Sequence, residues 1–187
     1  MPNLSRIALC MLLATGTSSL WAQGPSRVDL GITFTSQRSL RANTGQNFWM
    51  EGGSAQLGFN LRGGLGFAAD FTGSHTASIG SSGVPLVLTA TTVGPRYRWR
   101  AAKKVSFYGE GLFGFAHGSD SLFPTNSGTN PSASSFAWQL GGGLDWRVSH
   151  HFSVRMIDAG YLRTTLPNNS NNVQNLLRLG AGAVLRF

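Results

Sequence analysis

Two sets of residues in this chain could do chemistry. His117-Gly118-Ser119 and His151-Phe152-Ser153 each place a histidine two residues before a serine. Such a histidine could activate the hydroxyl as a nucleophile, provided a third, acidic group oriented the imidazole. The second set is charged: Asp29, Asp70, Glu110 and Asp145, with Arg96, Arg98, Arg100, Arg147, Arg155, Arg178 and Arg186. Gathered in a narrow enclosed space, these groups are too costly to leave unpaired, so they would form ion-pair networks. Such a network could act as a gate or favour anions, or it could simply plug the space and fix strand register. The remaining candidates carry less. His75, His117, His150 and His151 lack cysteines or paired carboxylates at ligand spacing, which gives no metal site. Gly63-Gly64 and Gly141-Gly142-Gly143 are followed by no helix, so they are a tight turn and small packing positions, not phosphate loops. No cofactor is expected.

The elements that must position these groups read as strands. Residues 175–187 put Leu177, Leu179, Ala181, Ala183, Leu185 and Phe187 on one face. Leu176, Arg178, Gly180, Gly182, Val184 and Arg186 take the other. A period of two marks a strand with one apolar face and one small or charged face. Six earlier segments follow the same rule: Val28 to Gln37, Trp49 to Leu61, Leu65 to Ser74, Val87 to Arg100, Val105 to His117 and Phe136 to Val148. Leu30, Ile32 and Phe34 oppose Asp29; Phe67 and Phe71 oppose Asp70. Tyr97 and Trp99 interleave with Arg96, Arg98 and Arg100, and Phe107, Phe113 and Phe115 oppose Tyr108 and Glu110. An eighth segment, Phe152 to Thr165, keeps Arg155 on the polar face but throws Asp158 onto the apolar one. A bulge near Ile157 would return Asp158 inward.

The connections alternate in length. Short ones fall at Arg62 to Gly64, Ala101 to Lys104 and Ser149 to His151. Long ones, rich in Ser, Thr, Asn, Gly and Pro, fall at Ser39 to Phe48, His75 to Leu86, Gly118 to Ser135 and Leu166 to Asn172. The predicted fold is therefore all-β, an eight-stranded antiparallel up-and-down barrel with both termini on the short-turn side. Residues 1–22 read as a cleaved signal peptide, with Arg6, an apolar run from Ile7 to Ala14, and small residues up to Ala22. That run is too short to span a membrane as a helix, which leaves residues 23–187 as one domain. Cys10, the only cysteine, falls within the signal and follows a leucine too bulky for a lipoprotein cleavage box, so disulfides and thiol chemistry are excluded. Without Arg6 the chain keeps 14 basic and 7 acidic residues, a net charge of +7. Those arginines are spread along alternating segments of an exported chain, which argues for a charged lining and against nucleic acid.

Alternation alone also fits a soluble barrel, so the decision rests on which face is inside. Eight strands enclose a space that side chains only just fill. The charged face is also the glycine-rich one, with Gly31, Gly58, Gly66, Gly114, Gly141, Gly143, Gly180 and Gly182. That face can line a narrow lumen, whereas the Phe, Leu and Trp face would crowd it. Turned outward, the apolar face suits lipid, and closure satisfies every backbone group. Trp49, Tyr97, Trp99, Trp146 and Phe187 near strand ends fit interfacial girdles.

A family resemblance adds to this reading. The last strand with Phe187 resembles the C-terminal signal of outer-membrane proteins that the barrel-assembly machinery recognises. Residues 27–187 as a whole resemble the OmpA-like family of small eight-stranded barrels, and Tyr108 to Gly118 (YGEGLFGFAHG) and Tyr161 to Thr164 (YLRT) are similar to segments of its members. The resemblance implies a bacterial outer-membrane protein in contact with lipopolysaccharide and phospholipid and inserted by that machinery. The chain departs from OmpA in stopping at the barrel, so no cell-wall tether is implied. The His-x-Ser pairs resemble those of lipid A deacylases of the same barrel size. However, His151 lies at a short turn, the wrong end, and Asp120-Ser121 stands after Ser119 where that motif carries Asn-Ala. The long loops, above all Gly118 to Ser135, could bind a surface partner as in OmpX-like adhesins, with Phe123 as the one aromatic anchor. The sequence thus points to a monomeric, non-enzymatic, mainly structural barrel with a polar, plugged lumen and at most weak porin-like activity. An adhesin is the alternative, and a lipid A-modifying enzyme stands behind it.

Overall fold

A computed structural model describes residues 27–40, 47–168 and 170–187. The signal peptide expected at residues 1–22 lies outside the described residues. Eight long strands close into one antiparallel barrel: β1 (Val28–Ser39), β2 (Trp49–Asn60), β3 (Leu65–Thr76), β4 (Leu86–Arg100), β5 (Val105–Ser119), β8 (Ala133–Arg147), β9 (Phe152–Thr164) and β10 (Gln174–Arg186). The intervening β6 (Phe123–Thr125) and β7 (Gly128–Asn130) form a small hairpin within the third long connection, which the sequence reading leaves as open loop. Each barrel strand pairs with its neighbours in sequence, and β1 closes the ring on β10 with Asp29 opposite Arg186 and Ser39 opposite Leu176. Closure removes both free edges, which is what a sheet in lipid requires.

Side-chain direction follows the predicted parity. Ile32, Phe34, Val93, Phe113, Phe115 and Leu140 face outward and are all more than half exposed. Apolar exposure on that scale is a surface for lipid or a partner and is not tolerated in water. Trp49 lies at the long-loop end of this surface, whereas Tyr97, Trp99, Trp146 and Phe187 lie at the short-turn end. Tyr97 stacks on Trp99 at 6.1 Å, and Trp99 on Phe107 at 5.5 Å. An arginine at position 113, near the middle of β5, should destabilise the barrel by about 2–4 kcal/mol, because it would sit in hydrocarbon. Urea unfolding of the Phe113→Arg variant in lipid vesicles checks this, and an unchanged midpoint would contradict it.

The doubtful eighth segment resolves as a bulge. Asp158 pairs with Gly180 and Arg155 with Gly182, so β9 spends one residue more than β10 between these pairs. Met156 and Ile157 consequently both face outward, and Asp158 is fully buried inside. The parity conflict is thus relieved one residue before the aspartate, as a bulge allows. The short turn after β2 requires glycine for a different reason: Gly63 and Gly64 have φ of 70° and 87°, which side chains with a Cβ resist.

Candidate functional site: a charge-balanced lumen beneath an apolar cap

Nine of the eleven charged residues singled out from the sequence lie buried inside the barrel: Asp29, Asp70, Arg96, Arg98, Glu110, Asp145, Arg155, Arg178 and Arg186. Arg100 and Arg147 do not join them. Both end their strands at the short-turn mouth, where Arg100 is exposed and Arg147 half-buried, and neither makes an ion pair among the described residues. Their inward parity is correct, but the barrel wall stops before it can enclose them. Asp158 takes its place in the set through the bulge. Among the described residues the buried lumen then holds five carboxylates and five guanidinium groups, a balance that gives no net charge to favour an anion.

Asp145 is the hub nearest the mouth. Its carboxylate lies 3.0 Å from Arg155 Nε, 3.3 Å from Arg98 Nη2 and 3.2 Å from Arg186 Nη2. Arg98 reaches Asp29 as well, at 2.7 Å, and Asn60 donates to Asp29 at 2.8 Å. Deeper, Arg96 pairs with Glu110 at 2.7 Å. Gln56 bridges the two groups, donating to Glu110 at 2.8 Å and accepting from Arg155 Nη1 at 2.6 Å. Arg178 joins Asp70 at 3.0 Å and Asp158 at 3.5 Å, and donates to Thr72 at 2.8 Å. The Tyr108 ring packs among Arg96, Arg98 and Arg155, whose guanidinium carbons lie 4.8, 6.0 and 4.4 Å from its centroid. Such contacts let several cations share one crowded space. Gln56 and Tyr108 are network members that the charge list could not include, although their inward parity is plain in the sequence.

The glycines of this face leave the room. A Cβ at Gly58 would lie 2.5 Å from Arg96 Nη1, and one at Gly143 would lie 2.7 Å from the Tyr108 hydroxyl. Alanine at either position must displace part of the network.

Toward the long-loop end the lumen also holds an apolar cluster, set among buried polar side chains such as Thr35, Gln37, Ser39, Ser74 and Thr164, which the charge pattern does not reveal. Met50, Leu86, Leu88, Ala90, Ala116, Ala137, Leu162 and Leu176 point inward from the strands and pack together. Each of the four long connections adds an apolar side chain to this cap, namely Phe48, Ile79, Phe123 and Leu166. Phe123 is buried and packs directly over Gly118, where any Cβ would meet its ring. It is therefore a part of the core and does not serve as the exposed anchor considered for a surface partner.

The histidines stand apart. His117 faces outward, and its Nδ1 lies 2.8 Å from Ser134 Oγ, with no carboxylate hydrogen-bonded to it among the described residues. Ser119, the partner suggested by spacing, makes no hydrogen bond with it. His151 Nδ1 lies 3.0 Å from the Arg186 carbonyl at the short-turn end, a structural contact. No group of three His, Cys, Asp or Glu among the described residues is placed to hold a metal ion.

These features meet in one class of protein. A family model for the outer membrane protein beta-barrel domain matches residues 7–187. The chain belongs to that family. It is accordingly a bacterial outer-membrane protein whose apolar outer face contacts lipid. Among solved structures, this outer-membrane barrel is similar to Neisserial surface protein A, at 18% identity and a TM-score of 0.67, over 88% of this chain and 100% of that one. It is also similar to Ail, the attachment invasion locus protein of Yersinia pestis, at 18% identity and a TM-score of 0.54, over 87% and 99% of the two chains. A de novo designed transmembrane β-barrel matches at 11% identity and a TM-score of 0.53, over 88% and 98%. Comparison with curated proteins yields no match. At these identities the likeness is one of fold, and a fold by itself does not fix an activity.

Proposed function

We propose that this outer-membrane barrel is a sealed structural element of the envelope and neither a pore nor an enzyme. The observation that supports this is the lining of the lumen, with a neutral ion-pair network at one end and an apolar cluster among buried polar side chains at the other. Eight strands leave little space beyond their own side chains, and an ion entering would have to break buried pairs or cross the cap. In this reading the long connections face the exterior and the short turns the periplasm, the arrangement general to such barrels. The protein acts as a monomer inserted by the barrel-assembly machinery, with Phe187 as part of the address.

The adhesin alternative keeps one support, the length of the connections, since loops on rigid scaffolds often carry binding. It loses its aromatic anchor with Phe123 buried. The lipid A-modifying alternative has a histidine and a serine on the outer face but, among the described residues, no acid hydrogen-bonded to the imidazole.

Planar-bilayer recordings test the proposal. Purified folded protein should give no channel events at voltages that open porins, and steady conductance steps would contradict a sealed lumen.

A further inference from the structure

The surface charge of this barrel is divided between its two ends. Outside the lumen the chain has two acidic side chains, Glu51 and Asp120, and both lie at the long-loop end. The short-turn end carries Arg27, Arg62, Arg100, Lys103, Lys104 and Arg147 and no side-chain carboxylate outside the lumen. None of these six makes an ion pair among the described residues. A pocket of about 430 Å³ opens on this rim, between the turn after β2 and the overhanging end of β4. Arg98 and Arg186 line it from the lumen side, Arg62 and Arg100 from the rim, and Tyr97 and Trp99 from the outward face. Arg98 and Arg186 are 9% and 3% exposed, and both guanidinium groups are already ion-paired with Asp29 and Asp145, so they form the inner wall of the pocket and leave Arg62 and Arg100 as its available cations.

We propose that this pocket binds the phosphate group of an anionic phospholipid from the leaflet that surrounds the short turns. The chemistry is that of a phosphate: the planar guanidinium forks of Arg62 and Arg100, which make no ion pair among the described residues, in a setting where no surface side-chain carboxylate competes. The lipid source follows from the shape of the pocket, which straddles the rim. Its outward wall is the aromatic stack of Tyr97 and Trp99, and such girdles lie at headgroup level. A headgroup can therefore reach Arg62 and Arg100 while its acyl chains stay along the lipid face. The site rests on the membrane placement proposed above, and not on which leaflet that end occupies.

Native mass spectrometry of the folded full chain in detergent tests it, with short-chain phosphatidylglycerol, phosphatidylcholine and inorganic phosphate as separate probes. Phosphatidylglycerol should be retained in preference to phosphatidylcholine. The Arg62→Gln/Arg100→Gln double variant should bind it on the order of thirtyfold more weakly, from the loss of two cations beside an anionic headgroup. Arg38→Gln/Arg163→Gln, on the outer surface at the opposite end, should leave retention unchanged. Equal retention by the rim variant and the native chain would overturn the site, as would equal retention of the two lipids. Inorganic phosphate bound as tightly as phosphatidylglycerol, and lost in the same variant, would overturn the lipid assignment in favour of a soluble phosphate. Heat-dependent gel mobility of every variant separates these results from a failure of the barrel itself: its absence would count against the membrane placement and not against the pocket.

Discussion

Asp145→Asn is expected to lower the unfolding free energy of the barrel by about 3–5 kcal/mol, the typical cost of breaking a buried ion pair from one side. Asp145 is fully buried and stands between Arg98, Arg155 and Arg186, so the amide leaves three guanidinium groups with Asp29 and Asp158 as their nearest remaining carboxylates. The balanced lumen then holds an excess positive charge in a buried setting that solvates it poorly. Urea titration in detergent gives the comparison, with Asp120→Asn as the control. Asp120 is exposed in a loop, and its replacement should cost under about 0.5 kcal/mol. Adding Arg186→Gln to Asp145→Asn should recover part of the loss, because it restores neutrality and residues in one network couple. If Asp145→Asn were as mild as the control, the arginines would be solvated, and the lumen could not be closed.

Phe123→Ala should cost about 3 kcal/mol, at the lower end of the range for removing a buried phenylalanine, because the residue comes from a connection and not from the barrel wall. Its ring fills the space above Gly118 and touches the cap that includes Met50, Leu88, Leu166 and Leu176. With that anchor gone, the hairpin of β6 and β7 loses its main apolar attachment and should become open to proteolysis between residues 120 and 132. Limited proteolysis followed by mass spectrometry reads this directly. A connection that is cleaved equally fast in the native chain and in the variant would mean that Phe123 does not hold it down.

The wall of this barrel was legible in the sequence because a strand in lipid obeys a strict period of two. Parity alone separated Phe34 from Thr35, and it flagged Asp158 as a residue that could not lie where simple alternation put it. The content of the lumen was legible only in part. Charge is conspicuous, so Asp29, Asp70 and Arg178 stood out, but Arg100 and Arg147 share their parity and lie beyond the wall. How far each strand extends past its neighbours depends on barrel stagger, and a single strand does not carry that information. The apolar cap was missed for a related reason. Met50, Leu88 and Leu162 occupy inward positions by the same parity as Gln56, Arg96 and Asp158, yet an apolar residue among apolar residues gives no contrast. Gln56 and Tyr108 were passed over because neutral groups draw attention only once their partners are placed.

The closed lumen is tested most directly by chemical access to its interior. Ser54 points inward and is 5% exposed, and cysteine there changes little in volume. With Cys10 replaced by serine, the Ser54→Cys chain should react with a charged, water-soluble thiol reagent orders of magnitude more slowly than a Ser127→Cys chain, whose site is exposed. Labelling of Ser54→Cys at a rate near that of Ser127→Cys, in folded protein, would show a water-filled path through the barrel and contradict the sealed lumen.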